Sequence, residues 1–505
     1  MSPTPAIEKL VTGIAGFDHV SAGGLPRGRT TLVSGTAGSA KTMFAVQFLI
    51  EGVRKAGESG VFVTFEESPE DVRRNVLGLG WDIAQLEAEG KWAFVDASLQ
   101  PDQETIEAGD YDLGALIARI ENAVNKVGAK RLSMDSLGAI FGQFSDQDAV
   151  RRELHRTTIA FKQLGVTAVM TSERTDEYGV IARYGVEEFV SDNVIILRNV
   201  LEDEKRRRTI EILKFRGTTH SKGEFPFTII PDEGLVVIPL SGIELKQKSS
   251  NVRVSSGNER LDKMCGGGFF RDSIILVSGA TGNGKTLMVT EFVAGGARVG
   301  DRCLLFAFEE SREQLFRNAN GWNVDYEQLE REGKLKLICE YPEVMGLEDH
   351  LIRMKAAIQE FKPTRIAVDS LSALERVSTV KGFREFVIGI TSFIKHQEVA
   401  GLFTATTPTL MGGPSITEAH ISTITDSIIL LRYVEMFGEM RRGLTVLKMR
   451  GSMHDKEIRE FQIDGKGMHI GEQFRNVTGI LTGNPIHIQK QDIERLGDMF
   501  VEEAR

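Results

Sequence analysis

The chain has 505 residues, 41% of them hydrophobic and 26% charged, with 61 basic and 71 acidic side chains for a formal net charge of -10. One hydrophobic core stops growing near about 250–300 residues, so this length predicts two or three domains of a soluble globular protein. The composition excludes a disordered or fibrous chain, and the acidic balance excludes a general attraction to nucleic acid while leaving room for a local basic groove.

The opening stretch MSPTPAIEKLVTG has neither the basic nor the apolar part of a signal peptide, and no apolar run reaches the ~18 residues a membrane span needs. A cytoplasmic protein without a membrane segment is expected. Cys265, Cys303 and Cys339 are odd in number and far apart, which fits reduced thiols better than a disulfide framework or a zinc site.

In chain order, TGIAGFDHVSAGGLPRGRTTLVSGTAGSAKT (12–42) is echoed by SSGNERLDKMCGGGFFRDSIILVSGATGNGKT (255–286), with Gly13 matching Gly257 and Asp18 matching Asp262. The echo continues as VFVTFEES (61–68) with LLFAFEES (304–311), RLSMDSLGAI (131–140) with RIAVDSLSAL (365–374), and LKFRGTTH (213–220) with LKMRGSMH (447–454). A period of this length is a tandem duplication of a whole domain. TTLVSG and SIILVSG read as short strands ending at glycine, each followed by a helical pattern, and VFVTF, RLSM, AVMTS, VIILR and their echoes read as further strands. That alternation predicts an α/β fold: two tandem P-loop domains, each with a mostly parallel sheet flanked by helices. The expected boundaries are 1–243, a polar linker at 244–254, 255–470, and a C-terminal loop and tail at 471–505.

Gly279, Ala280, Thr281, Gly282, Asn283, Gly284, Lys285 and Thr286 satisfy GxxxxGK(S/T) between a strand and a helix. Such a loop turns backbone N–H groups inward around phosphates, while Lys285 reaches the β- and γ-phosphates and the Thr286 hydroxyl meets Mg²⁺. The first copy is Gly35, Thr36, Ala37, Gly38, Ser39, Ala40, Lys41 and Thr42, with Ala40 in place of glycine at a point of close backbone approach. ATP and Mg²⁺ are the expected ligands.

Asp135 and Asp369 each end a later strand, the Walker B position from which a carboxylate holds the metal. Glu66-Glu67 and Glu309-Glu310 follow the second strand of each half and should gather at the same sheet edge, as bases beside the γ-phosphate. Lys214 and Arg216, then Lys448 and Arg450, put two cations on one strand face, suited to reach a neighbouring subunit's nucleotide. His220 and His454 close the same segments.

The halves differ before one strand pair: YGVEEFVSDNVIILRNV (184–200) against SITEAHISTITDSIILLRYV (415–434). Aligning Asp192 with Asp426 sets Glu188 opposite Ser422 and Phe189 opposite Thr423. Hydroxyls accept a phosphoryl group, whereas the first half would have to use water.

Long stretches of this sequence, including FDHVSAGGLPRGRTTLVSG, VFVTFEES, YGVEEFVSDNVIILRNVLE, SSNVRVSSG, MCGGGFF, GLEDHL, EAHISTITDSIILL and MRGSMHDKEIREF, closely resemble the KaiC family of circadian clock ATPases. The resemblance covers roughly 10–470 and implies a double RecA-like protein. It also implies a homohexamer of two stacked rings with ATP at the subunit interfaces: a slow ATPase in the first ring, an autokinase and autophosphatase in the second. It makes Ser422 and Thr423 the phosphorylation sites, with Thr417 as an auxiliary hydroxyl. Glu309 becomes the activating base with Glu310 beside it, and Glu66 and Glu67 order the first ring's water. Lys214, Arg216, Thr218 and His220 would border the neighbour's nucleotide, and Trp322 the second-ring adenine. A KaiB-like partner would bind the first ring. The last segment carries Ile493, Leu496 and Phe500 at helical spacing in place of the polar, glycine-containing tail that clock members present to KaiA, which leaves KaiA dependence and oscillation open. The alternative from another class is a RecA-like DNA-dependent ATPase or recombinase, which the acidic charge and the lack of a nucleic-acid-binding motif disfavour; a third is a nucleotide-assembled scaffold without useful turnover.

Overall fold

The computed structural model describes residues 7–98, 113–141, 147–182, 185, 187–202, 205–239, 249–407, 421–475, 477–481 and 486–487. Thr417 and the segment carrying Ile493, Leu496 and Phe500 lie outside these residues, and so do the side chains of Ser422 and Phe189. The chain divides into two compact units, Met1–Gly242 and Ile243–Arg505.

In the first unit the main elements are β1 (Thr30–Gly35), α1 (Lys41–Glu51), β2 (Gly60–Thr64), α2 (Pro69–Leu77), β3 (Trp92–Asp96), α3 (Leu113–Val127), β4 (Arg131–Asp135), α4 (Gln147–Gln163), β5 (Thr167–Glu173), β6 (Asn193–Glu202), β7 (Lys205–Phe215), β8 (Glu224–Ile230) and β9 (Gly234–Val237). The second unit repeats them as β10 (Ile274–Gly279), α5 (Lys285–Arg298), β11 (Cys303–Ala307), α6 (Arg312–Gly321), β12 (Leu335–Cys339), α7 (Leu347–Phe361), β13 (Arg365–Asp369), α8 (Val380–His396), β14 (Ala400–Thr406), β15 (Ser427–Met436), β16 (Glu439–Met449), β17 (Arg459–Asp464) and β18 (Gly467–Gln473).

Each unit is built on a 9-stranded sheet, ordered β3-β2-β4-β5-β1-β6-β7-β8-β9 and β12-β11-β13-β14-β10-β15-β16-β17-β18, so the two orders are the same. The strands up to β6 and up to β15 are parallel, and the rest of each sheet is antiparallel. This is the expected α/β architecture, with antiparallel hairpins added at one side. The central strands β1 and β10 are buried at every residue, as parallel strands covered on both faces must be.

The conserved spacing between the halves has a steric origin at Gly257, whose φ is +91° and whose Cβ would fall 1.8 Å from the Glu291 carbonyl oxygen. Asp262 closes that turn by accepting from the Ser256 N–H at 2.6 Å, and Asp18 accepts from the Thr12 and Gly13 N–H groups at 2.9 Å in the first unit. The three cysteines are free thiols, with burial pushing Cys265 and Cys303 up to about 12 and Cys339 up to about 11. No helix among the described residues is long and apolar enough to cross a membrane.

One equivalent pair is chemically unequal. Gln47 donates to the carbonyl oxygens of Glu233 at 2.9 Å and Leu235 at 3.2 Å, and accepts from the Leu235 N–H at 2.7 Å. Glu291, at the same place in α5, accepts from the Met468 N–H at 2.7 Å and from Asn258 at 3.2 Å. Burial raises the Glu291 carboxyl above its usual range, more than these two bonds lower it. A raised acid pKa contributes stability that is present at low pH and lost as pH rises through the folded-state value. Glu291→Gln is therefore expected to flatten the pH dependence of the second unit, while its amide NH2, set against one of these two donors, costs about 1 kcal/mol of stability at low pH. Urea titrations followed on Trp322, the one tryptophan of that unit, check this between pH 4 and 8.

Candidate active sites

Each phosphate loop is held between the end of a central strand and the start of a helix. Gly35 closes β1 and Lys41 opens α1; Gly279 closes β10 and Lys285 opens α5. The lysines fold back onto their own loops: Lys41 Nζ donates to the Thr36 carbonyl at 2.9 Å, and Lys285 Nζ to the Gly279 and Ala280 carbonyls at 2.9 and 3.0 Å. Burial lowers both lysines, against the opposing pull of Glu173 and Asp135 on Lys41 and of Asp369 and Glu309 on Lys285. The loop is thus a preformed cationic cradle whose lysine donors are turned onto backbone oxygens that phosphate oxygens can replace.

The residue before each lysine is left-handed, with φ 74° at Ala40 and φ 89° at Gly284. Ala40 packs against the apolar core of the first unit, and a Cβ built on Gly284 would meet Ile463 Cδ1 at 2.8 Å and Met468 Cε at 3.4 Å. The added methyl of Ala40 therefore points beneath the loop, so its cost is a strained backbone and not an obstructed phosphate site.

Thr42 Oγ1 donates to Asp135 Oδ2 at 2.6 Å and Thr286 Oγ1 to Asp369 Oδ2 at 2.8 Å, so each loop hydroxyl already lies against the carboxylate assigned to the same ion. An all-oxygen pair beside a phosphate cradle suits Mg²⁺. Thr171 and Thr404 donate to the second oxygen of Asp135 and Asp369 and fix the carboxylate planes. Burial raises the Asp369 carboxyl, opposed by the hydroxyls of Thr404 and Thr286 and then by Lys285.

The glutamate pairs sit where strand turns into helix. Ser68 and Ser311, directly after the pairs, cap α2 and α6 through the Asp71 and Gln314 N–H groups, which anchors the glutamates at the loop's edge of the sheet. Glu66 accepts from Ser136 at 2.9 Å and Glu67 from Asn75 at 3.0 Å. In the second unit Glu309 instead pairs with Arg376 at 2.8 Å, and Glu310 accepts from Asn318 at 2.8 Å. Ser370, the counterpart of Ser136, buries its hydroxyl without a partner. Burial, then the Asp369 and Glu309 charges, raise the Glu310 carboxyl above its usual range.

The late cations lie elsewhere. β1 and β6 run parallel with Gly35 opposite Leu197, and β10 and β15 run parallel with Gly279 opposite Leu431. Segments preceding β6 and β15 therefore lie at the sheet edge away from the phosphate loop. There Lys214 Nζ donates to the Glu188 and Ser191 carbonyls at 2.8 and 2.9 Å, and Lys448 Nζ to the Thr425 carbonyl at 2.7 Å. Arg450 donates to the Thr423 carbonyl at 2.8 Å and lies 3.7 Å from Asp426. β7 ends at Phe215 and β16 at Met449, so Arg216 and Arg450 stand one residue past the expected strand. Arg216 and Thr423 are exposed; Thr218, His220 and His454 are half-buried, with the His220 ring 5.5 Å from Phe215. Trp322 is half-buried against the second core, beyond α6.

The structure thus brings loop, Asp and Glu pair together in each unit and sets Lys, Arg and the segment before β6 or β15 together on the opposite edge. Sequence reasoning missed Thr171 and Thr404, although both fall at the same place in the echoed strands AVMTS and GLFTA. It missed Arg376, which stands opposite Gly142 where the halves diverge, and Glu177, which accepts from the Thr36 hydroxyl at 2.6 Å.

Two tandem RecA-like sheets, each with a phosphate loop and a Walker B aspartate, define a double P-loop ATPase. Consistent with this, the family model described as "ATPase: KaiC" matches residues 10–242 and 254–475. The circadian clock protein KaiC3 of Synechocystis sp. (strain ATCC 27184 / PCC 6803 / Kazusa) is 70% identical over 499 residues, covering 99% of both chains. The circadian clock oscillator protein KaiC of Thermostichus vulcanus is 57% identical over 97% of this chain and 95% of that protein, and that of Synechococcus elongatus (strain ATCC 33912 / PCC 7942 / FACHB-805) is 56% identical over the same shares. The chain belongs to the KaiC ATPase family.

The two left-handed positions respond differently to substitution. Gly284→Ala must displace Ile463 and is expected to destabilise the second unit by about 1–3 kcal/mol. Ala40→Gly trades relief of strain against chain entropy and should change stability by less than about 1 kcal/mol, with nucleotide affinity unchanged. Chemical denaturation and a fluorescent-nucleotide titration check both.

Proposed function

We propose that this chain is an ATP-driven timer of the KaiC type: an ATPase in its first unit and a serine/threonine autokinase and autophosphatase in its second, assembled as a cytoplasmic ring of six. The observation that carries this reading is the split of each site across its sheet. Six residues of β10 at roughly 3.3 Å each put about 20 Å between the loop edge and the edge bearing Thr423, whereas phosphoryl transfer needs reacting atoms about 3–3.5 Å apart. A chain therefore presents its acceptors, with Lys448 and Arg450, to the ATP of another copy. A head-to-tail contact that closes makes a ring.

At that junction Lys285 and the loop N–H groups hold the triphosphate. Mg²⁺, held by Thr286 and Asp369, would neutralise charge on the phosphates. Glu309 takes the proton from the Ser422 or Thr423 hydroxyl of the neighbour, once Arg376 releases it or swings with it. Glu310, raised by burial, lies beside it, and Lys448 and Arg450 of the copy that brings the acceptor stabilise the charge leaving the γ-phosphate. In the first unit Glu66 and Glu67 orient water, Thr42 and Asp135 hold the metal, and Lys214, Arg216, Thr218 and His220 border the nucleotide from the next copy. Trp322 would lie against the second-unit adenine. The names of the relatives support a clock role; a KaiB-like partner on the first unit rests on the family resemblance.

Incubation with γ-labelled ATP followed by peptide mapping tests the reading. Label is expected on Ser422 and Thr423 and should fall by at least about a hundredfold in Glu309→Gln. Mixing Lys448→Ala/Arg450→Ala subunits with Glu309→Gln subunits should restore some labelling. Label absent from assembled wild-type rings, or hydrolysis driven by DNA, would overturn the autokinase.

A further inference from the structure

One further exchange between the units falls within the sheet, at the nucleotide edge. In the first unit β5 runs between β4, which ends at Asp135, and β1, which ends at the phosphate loop; its last residue, Glu173, is in register with Gly35. In the second unit β14 runs between β13 and β10, and the residue in register with Gly279 is Thr406. Both strand ends are held against their loops alike, by the Arg174 N–H on the Gly35 carbonyl at 3.1 Å and the Thr407 N–H on that of Gly279 at 3.2 Å. A carboxylate therefore stands in one unit where a hydroxyl stands in the other.

Side chains alternate along a strand, so Glu173 shares a face with Thr171, and Thr406 with Thr404. Those threonines donate to Asp135 and Asp369, which sets Glu173 one step past the metal carboxylate, on the same face and toward the phosphates. Of the charges that oppose the effect of burial on Lys41, Glu173 acts most strongly, followed by Asp135, Glu66 and Glu177; at Lys285 the opposing charges are Asp369 and Glu309. Asp135 accepts from Thr42, Glu66 from Ser136, and Glu177 from the Thr36 hydroxyl and the Asn199 N–H. Glu173 is half-buried, and its carboxylate has no hydrogen-bond or ion-pair partner among the described residues. Thr406 is placed differently again: its N–H donates to Ser372 at 2.8 Å, a hydroxyl that the first unit lacks because Gly138 stands there.

Resting on the reading of the first unit as an ATPase, we propose that Glu173 holds the hydrolytic water against the γ-phosphate there, and that Thr406 in its place leaves the second unit's γ-phosphate to a hydroxyl acceptor. The water oxygen bonds to the γ-phosphorus as the bond from that phosphorus to the β–γ bridging oxygen breaks. ADP departs with that electron pair, and the proton the water gives up passes to a Glu173 oxygen and on to solvent. An ionised carboxylate accepts a hydrogen bond about twice as strong as a neutral oxygen does, so a threonine hydroxyl gives water no equal hold. The same charge repels the triphosphate. Removing it lowers turnover without weakening nucleotide binding, whereas a residue that only supported the loop would lose both together.

The test uses the full chain carrying Glu309→Gln/Glu310→Gln, so that phosphate release from ATP and Mg²⁺ reports the first unit. Glu173→Gln is expected to lower kcat at least about tenfold while KM stays or falls. Glu173→Thr should match it, and Glu173→Asp, which keeps the charge, should retain more of the rate. In the otherwise wild-type chain, Thr406→Glu should lower γ-label on the protein and raise phosphate release together. Equal rates in the parent and Glu173→Gln, or a rise in KM that accounts for the whole loss in both the Gln and Thr variants, would overturn the hold on water. Labelling unchanged in Thr406→Glu would overturn the choice between water and hydroxyl. A parent chain that releases no phosphate, or whose release survives Lys41→Ala, would instead overturn the first-unit ATPase and this role with it.

Discussion

The parallel pairing of β1 with β6, and of β10 with β15, is the constraint on which the rest of this structure depends. A strand buried on both faces ends at the phosphate loop, so everything that follows a parallel neighbour gathers at that edge and everything that precedes one gathers at the other. Asp135, Asp369 and the glutamate pairs fall in the first group. The segment before β15 that carries Thr423 falls in the second, and Lys448 and Arg450 join it because β16 returns antiparallel and ends beside Ser427. Sheet topology alone therefore sets the phosphate loop and the segment before β15 at opposite edges, and no side-chain rearrangement within one chain reunites them.

Within that shared frame the two units differ by small exchanges with large chemical meaning. Glu66 is held by a neutral hydroxyl from Ser136, whereas Glu309 is held by the Arg376 guanidinium and the equivalent Ser370 is left without a partner. The Glu309–Arg376 pair is well exposed, and surface pairs of this kind contribute only about 0–1 kcal/mol. A tether that weak positions a carboxylate without immobilising it. Glu310, raised by burial beside Asp369, sits deeper and cannot shed its environment in the same way. The first unit has Glu188 where the second has Ser422 and Phe189 where it has Thr423, so those two positions carry no hydroxyl.

Much of this was legible because duplication prints every functional element twice. The repeated GTAGSAKT and GATGNGKT, the two Asp-Ser strand ends and the two Glu-Glu-Ser turns located the nucleotide edge, and the helical and strand patterns around them located the parallel core. Three kinds of information were not legible. Ala40 read as a Cβ intruding on phosphate, since a sequence does not say which way a left-handed residue projects. Arg376 acts on Glu309 from 67 residues away, in a stretch where the halves share no pattern. The separation of acceptor from loop depends on strand order, which period-2 alternation does not encode.

Net charge illustrates the same limit from another side. A total of -10 argues against a polyanionic partner only if charge is spread evenly, and here it is not. The first unit gathers Glu66, Glu67 and Glu70 at one edge, while Lys162 and Arg216 lie toward the other. Two such units placed side by side in the same sense attract, while two placed edge to like edge repel. A unit with this charge separation favours a head-to-tail contact, as the proposed divided site would require, over a two-fold one. Screening acts over about 8–10 Å at physiological salt, so the preference operates at contact distance, where the choice between the two arrangements is made.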